Sequence, residues 1–321
     1  MNEQSQDDGR VAIIGGGTMG ADIAAIFLAG GWQVDVISPS PGTRASLVQR
    51  VSVSLRAMQC AVAAVERLTV GGTLASLNWS GLNLVIESVT EDLALKQGLF
   101  EDMARLAPAD LPLATNTSTF EIARVGERLA DKRRMLGMHF FMPAHLVPLV
   151  EIIPCAQTDP VVVDNIMSMM RRLGKEPIQV RRDVPGFVGN RLQHALMREA
   201  LYLMEEGVAG PEEIDIAVRY GFGFRYLACG PMMQKEMSGW DTNWRAGSAL
   251  YPHLHNEAVV PASIEAMVRE GHIGMKALQG IWSWTEESAA EERARINARL
   301  RAAMAILRDD PAGLIDQDAT G

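Results

Sequence analysis

Short apolar runs closed by glycine, proline or a small polar residue recur along the first half of the chain. RVAIIG, WQVDVIS, LNLVIESV, LPLATNTS, RRMLGMHFF, VPLVEIIP and PIQVRRD are such runs, and each predicts a strand buried on both faces. Helical periods separate them, over residues 18–30, 42–66 and 160–173 and in EDLALKQGLFEDMARLA. This alternation predicts a doubly wound α/β domain, with a parallel sheet covered on both faces. The pattern changes at Pro185-Gly186. From Phe187 to Glu206 the period is that of one helix, and PEEIDIAVRYG, GPMMQKEMSGWDTNW and PASIEAMVREG are helical after it, with no strand expected beyond residue 183. The last periodic segment, EESAAEERARINARLRAAMAILRDD, puts Ile296, Leu300, Met304 and Leu307 on one face, which is expected to pack on the domain or on a partner subunit. The boundaries are therefore an α/β domain over 1–184 and an all-α domain over 185–321.

Length agrees with two cores, since 321 residues exceed what one ordinary core serves. A net charge of −9 disfavours nucleic acid as a partner and offers no polybasic membrane patch. Cys60, Cys155 and Cys229 form no CxxC pair and read as reduced thiols. The polar, acidic start MNEQSQDDGR has no signal-peptide pattern, so a cytoplasmic location is expected. The run from Val11 to Val34 is nearly apolar enough for a membrane span, but Asp22 and six glycines point to a soluble motif instead. His145, and His253 and His255 in YPHLHN, lack companions at a metal-binding spacing, so no metal is expected. Trp240, Trp244, Trp282 and Trp284 read as core or interface aromatics, one of which could wall a pocket.

That motif is GGGTMG, in which Gly15, Gly17 and Gly20 have the GxGxxG spacing directly after a strand and at the start of a helix. Gly15 permits the turn, Gly17 lets the backbone approach a pyrophosphate, and Gly20 lets helix and strand pack closely. Thr18 and Met19 open the helix whose N-terminus faces the anion. The first domain is thus of Rossmann type. An acid that would bond the adenosine ribose is expected at the end of the second strand, where Ser38 stands instead. Asp35 lies earlier, inside the strand. Ser38 can bond a ribose hydroxyl but would not repel a 2′-phosphate, and Ser40 and Arg44 are near enough in sequence to receive one. NAD is the expected cofactor, with NADP as the alternative.

His139 and Glu151 stand in the apolar stretch HFFMPAHLVPLVEII. A lone buried carboxylate is costly. Both residues fall on or beside strands of one sheet, so each can relieve the other. The carboxylate would fix the imidazole tautomer, leaving the second ring nitrogen to take a proton from a substrate hydroxyl. Asn116 and Ser118 follow the strand LPLAT, at the carboxyl end where open α/β sheets bind ligands.

GGGTMG, IESVTEDLALK, ATNTST, HFFMPAHLVPLVEII, PGFVGNRL and GHIGMKALQGIWSW occur in one order along almost the whole chain, which resembles the 3-hydroxyacyl-CoA dehydrogenase family. The resemblance implies a catalytic pair at His139 and Glu151, a serine on the substrate oxygen at Ser118, and an asparagine at Asn190 reaching the cleft from the second domain. It implies a glutamate and a lysine on the nicotinamide side at Glu87 and Lys96. It also implies a homodimer formed through the helical domain, and reversible oxidation of the 3-hydroxyl of an L-3-hydroxyacyl-CoA. Four departures bear on the substrate. Met142 replaces an asparagine, NTST replaces NTSS, LQGIWSW replaces GKGFYDW, and the lysine-rich helix that contacts CoA becomes an alanine- and valine-rich one whose basic residues are Arg44, Arg50, Arg56 and Arg67. Relatives that oxidise free hydroxy acids, such as carnitine, gulonate or a pyridoxine-derived carboxylate, supply the alternative reading. A non-catalytic dinucleotide-binding protein is a third.

Overall fold

In the computed structural model, residues 9–308 are described. The chain separates into two compact units, Met1–Arg191 and Leu192–Gly321. The first holds a single eight-stranded sheet of β1 (Arg10–Ile14), β2 (Gln33–Ile37), β3 (Leu68–Gly71), β4 (Leu84–Glu87), β5 (Leu113–Thr115), β6 (Met135–Phe140), β7 (Leu149–Pro154) and β8 (Glu176–Gln179). Its order is β3-β2-β1-β4-β5-β6-β7-β8. All seven expected strands form. The short edge strand β3 was not expected from its sequence, LTVG, which carries too few apolar residues to stand out.

The helices of this unit are α1 (Thr18–Ala29), α2 (Pro41–Ala57), α3 (Leu93–Leu106), the single turn α4 (Ile122–Val125) and α5 (Pro160–Arg172). They bury two apolar clusters against opposite faces of the sheet. Helix α1 is buried from Gly20 to Leu28. It packs between sheet and α2, which explains why its sequence is apolar all round. The helix expected over 42–66 ends early. Gln59 takes φ +60°, and Cys60 N donates to Leu55 O at 2.9 Å, a left-handed stop that closes α2 before a separate short turn at Val62–Arg67.

One expectation is corrected. The sheet is not wholly parallel, because β6 and β7 pair antiparallel. Their register sets His139 directly opposite Glu151.

The second unit is helical. Helix α6 (Gly189–Glu205) leads into it, followed by α7 (Pro211–Ile216), α8 (Pro231–Ser238), α9 (Trp240–Leu250), α10 (Ala262–Arg269) and α11 (Glu286–Arg308). GPMMQKEMSGWDTNW makes two helices, since Gly239 at φ +87° breaks it. Isolated bridges at Gly274, Gln279 and Ser283 are the only β pairing beyond β8 among the described residues. On the terminal helix the expected apolar face is partly open, with Ile296 42% exposed.

Candidate active site

Strand β1 ends at Ile14, and the chain turns at once into α1. Gly15 makes that turn at φ +119°, and a Cβ there would overlap the Ser88 backbone. A Cβ on Gly20 would overlap the Gly15 carbonyl, so strand and helix touch at backbone distance. Gly17 differs from both. It caps α1 with no side-chain hydrogen bond, and a Cβ on it would meet nothing within 4 Å. The free N–H groups of the first turn, at Thr18, Met19 and Gly20, therefore open on an empty cradle, with no acidic residue in that turn. These residues fit a dinucleotide pyrophosphate.

Ser38 directly follows β2 and is 4% exposed. It lies against the loop, since a Cβ on Gly16 would be 3.6 Å from its Oγ. Asp35 is turned away and bonds Arg10 Nε at 2.8 Å. Arg44 Nη1 donates to the carbonyls of Ser38 and Pro39 at 2.7 and 2.8 Å, so it lies beside the ribose end of the cradle.

At the carboxyl end of β6, His139 Nδ1 is 2.7 Å from Glu151 Oε2. The glutamate is 0% exposed, and its other oxygen accepts from Val188 N and Gly189 N, each at 2.9 Å. Gly186 and Phe187 both have positive φ, at 76° and 48°, and this turn aims the first amides of α6 at the carboxylate. Burial pushes the Glu151 carboxyl up, but the His139 bond, the two amides and the imidazole charge outweigh it, and its pKa lies below the ordinary value. Phe141 and Phe187 flank the imidazole, with ring centroids 4.5 and 5.6 Å away. Nε2 has no hydrogen-bond partner among the described residues.

A second polar cluster lies under the loop after β5. Glu87 is 0% exposed, and its carboxylate accepts from Lys96 Nζ at 2.7 Å, Thr115 Oγ1 at 2.6 Å and Val89 N at 2.7 Å. Lys96, 1% exposed, also pairs with Glu91 at 3.2 Å. Glu91 was not anticipated. Its Oε1 accepts from the Thr117 hydroxyl at 2.5 Å, from Ser118 N and Thr119 N at 3.1 Å, and from the Thr119 hydroxyl at 2.8 Å. Partial burial raises its pKa, yet the Thr117 bond, the Lys96 charge and the Thr119 bonds together hold it below the ordinary carboxyl value. The pair Glu87 and Lys96 is thus enclosed, and Glu91 is the partly open acid between it and the Ser118 loop.

Asn116 Oδ1 accepts from Phe140 N at 2.9 Å, which ties this loop to the strand that carries His139. Asn190 Nδ2 reaches Ser118 O at 3.4 Å. The Ser118 side chain, like Nε2 of His139, has no partner among the described residues. His139, Glu151, Ser118, Asn116 and Asn190 are therefore linked through short contacts, and the glycine loop adjoins them through Ser88, which Asn116 Nδ2 bonds at 3.3 Å.

Asp22 and His145, to which the sequence assigns no place in the site, also come together. Asp22 is buried in α1 and accepts from Ser54 Oγ at 2.7 Å and Ala144 N at 3.1 Å, with His145 Nδ1 2.9 Å away. Through Ala144 N, Asp22 fastens the loop after β6 to the helix of the glycine motif, while neither ring nitrogen of His145 makes a hydrogen bond.

Models of the 3-hydroxyacyl-CoA dehydrogenase NAD binding domain and C-terminal domain match residues 10–184 and 186–284. The chain belongs to this family. It is accordingly an NAD-dependent dehydrogenase, of a family whose members act on 3-hydroxyacyl-CoA or on free hydroxy acids. It is 32% identical to 5-formyl-3-hydroxy-2-methylpyridine 4-carboxylate 5-dehydrogenase of Mesorhizobium japonicum, over 92% of this chain and 97% of that one. It is 31% identical to 3-hydroxyadipyl-CoA dehydrogenase of Escherichia coli, over 87% of this chain and 60% of that one. Among solved structures, that of a 5-formyl-3-hydroxy-2-methylpyridine 4-carboxylic acid 5-dehydrogenase, described as an NAD+ dependent dismutase, superposes with a TM-score of 0.88 at 32% identity, covering 95% of this chain and 100% of that one. M. tuberculosis FadB2 gives 0.72 at 29% identity, covering 87% and 99%.

Proposed function

We propose that the enzyme oxidises the hydroxyl of a free, carboxylate-bearing alcohol, with His139 as the base. The observation that carries the choice of a free acid is the fate of the arginines that a CoA phosphate would need. Arg44 is turned to the Ser38 and Pro39 carbonyls, Arg67 to those of Leu28 and Trp32, and Arg50 faces the glycine loop rather than the substrate side. The likeness to the pyridine-carboxylate dehydrogenase, in sequence and in fold, supports the same reading.

In this mechanism the substrate hydroxyl donates to His139 Nε2 and loses its proton there. Glu151 holds the proton of Nδ1 and stabilises the imidazolium that results. Ser118 donates its hydroxyl hydrogen to the substrate oxygen while that oxygen carries alkoxide character. Asn190 borders the same oxygen from the first turn of α6. When bound, the cofactor would accept the hydride from the alcohol carbon, and the hydroxyl proton passes to His139 as that carbon becomes a carbonyl. Glu87 and Lys96 are positioning residues, holding Glu91 and with it the Ser118 loop. The domain division falls near residue 185, and Gly15, Gly17, Thr18, Met19, Gly20, Ser38 and Asn116 line the cofactor cleft.

A thioester substrate is the second reading. It is favoured by one feature, Arg56, which is exposed on α2 with no partner among the described residues. A substrate panel with NAD separates the two. Turnover of free hydroxy acids without inhibition by CoA is the expected result. Turnover of 3-hydroxybutyryl-CoA, with CoA inhibition that weakens as salt rises and with a KM raised by Arg56→Ala, would replace the free-acid reading.

The partner is a second copy bound through the helical unit. Among residues 192–307 only Gly247 and Ala289 are buried, while Trp244 is 71% and Met237 77% exposed. Trp240, Trp244 and Tyr251 line an open groove of about 690 Å³ on α9. Such a surface calls for a partner to cover it.

A further inference from the structure

Arg50 lies on α2, and none of the functions above uses it. Its Nη2 donates to the Gly16 carbonyl at 2.6 Å and to the Thr43 carbonyl at 3.2 Å. Its Nε is buried without a hydrogen-bond partner. No carboxylate lies within ion-pair distance of it among the described residues. Asp22, a buried acid on the adjacent helix α1, is taken up by Ser54 and Ala144. A half-buried guanidinium, with one orphaned donor and no counter-charge, is unfavourable by itself. It becomes favourable if an anion binds nearby.

The atom it holds says which anion. The Gly16 carbonyl and the Gly17 N–H belong to one peptide unit. Gly17 caps α1, over the open cradle. A permanent cation on the carbonyl oxygen draws electron density from the whole amide and makes its N–H a stronger donor. That N–H immediately precedes the free first turn of α1, where the pyrophosphate is expected.

We propose that Arg50 is a cofactor-positioning residue: it strengthens the glycine loop's hold on the dinucleotide pyrophosphate, through the Gly16–Gly17 peptide and by its own charge. The inference rests on NAD binding at this loop. It gives an arginine of α2 a role on the cofactor side of the site, where the lysine-rich helix of relatives would suggest a substrate role.

The test is binding, with the full chain and without turnover. ADP carries the pyrophosphate and adenosine does not. Calorimetry with ADP and saturation-transfer NMR with adenosine are run on wild type, Arg50→Met and Arg50→Lys. Arg50→Met should bind ADP about ten- to a hundredfold more weakly, the worth of one charged hydrogen bond, with adenosine binding unchanged. Arg50→Lys should recover part of the loss, because it keeps the charge but not the fork. ADP affinity of the wild type should fall more steeply with salt than that of Arg50→Met. Two results would overturn the proposal. One is ADP affinity in Arg50→Met equal to wild type. The other is equal loss of ADP and adenosine binding in both variants, the mark of a tie that merely holds α2 to the loop. A wild type that binds no ADP would instead remove the placement of NAD at this loop, and this proposal with it.

Discussion

Replacing Glu151 by glutamine changes one oxygen to an NH2 and removes one charge, in a pocket with no room for rearrangement. Glu151 Oε1 accepts from Val188 N and Gly189 N at the start of α6, each at 2.9 Å, and Oε2 faces His139 Nδ1 at 2.7 Å. Turning the new NH2 toward Val188 and Gly189 would leave three donors facing one another and two buried amides unpaired, each costing about 1–3 kcal/mol. The amide oxygen therefore stays with the backbone, and the NH2 points at His139. Nδ1 must then accept, which moves the ring proton to Nε2. A protonated neutral Nε2 cannot take the substrate's proton. The expected loss in kcat is about 10²- to 10⁴-fold, the worth of a positioned base, with ADP affinity unchanged. Steady-state reduction of NAD, followed by absorbance, measures it. A Glu151→Gln enzyme with wild-type kcat would refute the tautomer argument and leave Glu151 a purely structural acid. The same change has a stability signature. The native carboxyl titrates below its unfolded value of 4.5, so its contribution is complete above that pH and is lost as pH falls through the lower folded pKa. The variant should lack that part of the acid-unfolding transition.

Ser118→Ala should lower kcat about 10²- to 10³-fold without moving the melting temperature, since its side chain has no partner to lose; an unchanged kcat would take Ser118 out of the mechanism. Glu91→Gln should lower kcat at neutral pH and remove an acid-side dependence. The native carboxyl pKa is lowered, so its grip on Thr117 to Thr119 is full above the ordinary carboxyl range and fades only as pH drops through the lowered value; parallel pH–rate profiles for variant and wild type would contradict this. Ser38→Asp should raise the preference for NAD over NADP about tenfold, by like-charge repulsion worth ~1.4 kcal/mol, read as the ratio of kcat/KM values. A melting temperature that falls on dilution, together with a dimeric mass by ultracentrifugation, is expected from the exposed helical unit, and a concentration-independent monomer would rule the dimer out.

Much of this was legible because it rests on local chemistry. Glycine at 15, 17 and 20 and the strand–turn–helix around it follow from one short segment, and so do the buried strands. The missed acid, Glu91, had no such signal. In TEDLALK it looks like any solvated charge at the start of a helix, and only the packing of the Thr117–Thr119 loop over it gives it partners. Glu87, which the resemblance alone put on the nicotinamide side, has its own contacts: its oxygens accept from Lys96, Thr115 and Val89. The residue in contact with the loop is the one four positions on, toward solvent. Asp22 was read only as evidence against a membrane span, and no helix among the described residues is long and apolar enough to cross one. Its partners, Ser54 and Ala144, are too far away in sequence for any local pattern to reveal them.

The antiparallel step between β6 and β7 is a different kind of miss, because the sequence contains the argument. Residues 141–148 are all that separate the two strands. A parallel neighbour needs a crossover of about a dozen residues or more, usually a helix, and this segment is too short and holds two prolines, Pro143 and Pro148. The strand must therefore turn back beside its predecessor. Once it does, pairing residues across the turn makes positions 139 and 151 cross-strand partners, with side chains on one face. A parallel arrangement would align the strands from their starts, Met135 with Leu149, and leave His139 opposite Ile153 rather than Glu151. The reversal is thus the topological condition for the proposed pair: an otherwise parallel sheet turns round at β7, with β8 following it, where a histidine and a carboxylate come to face each other.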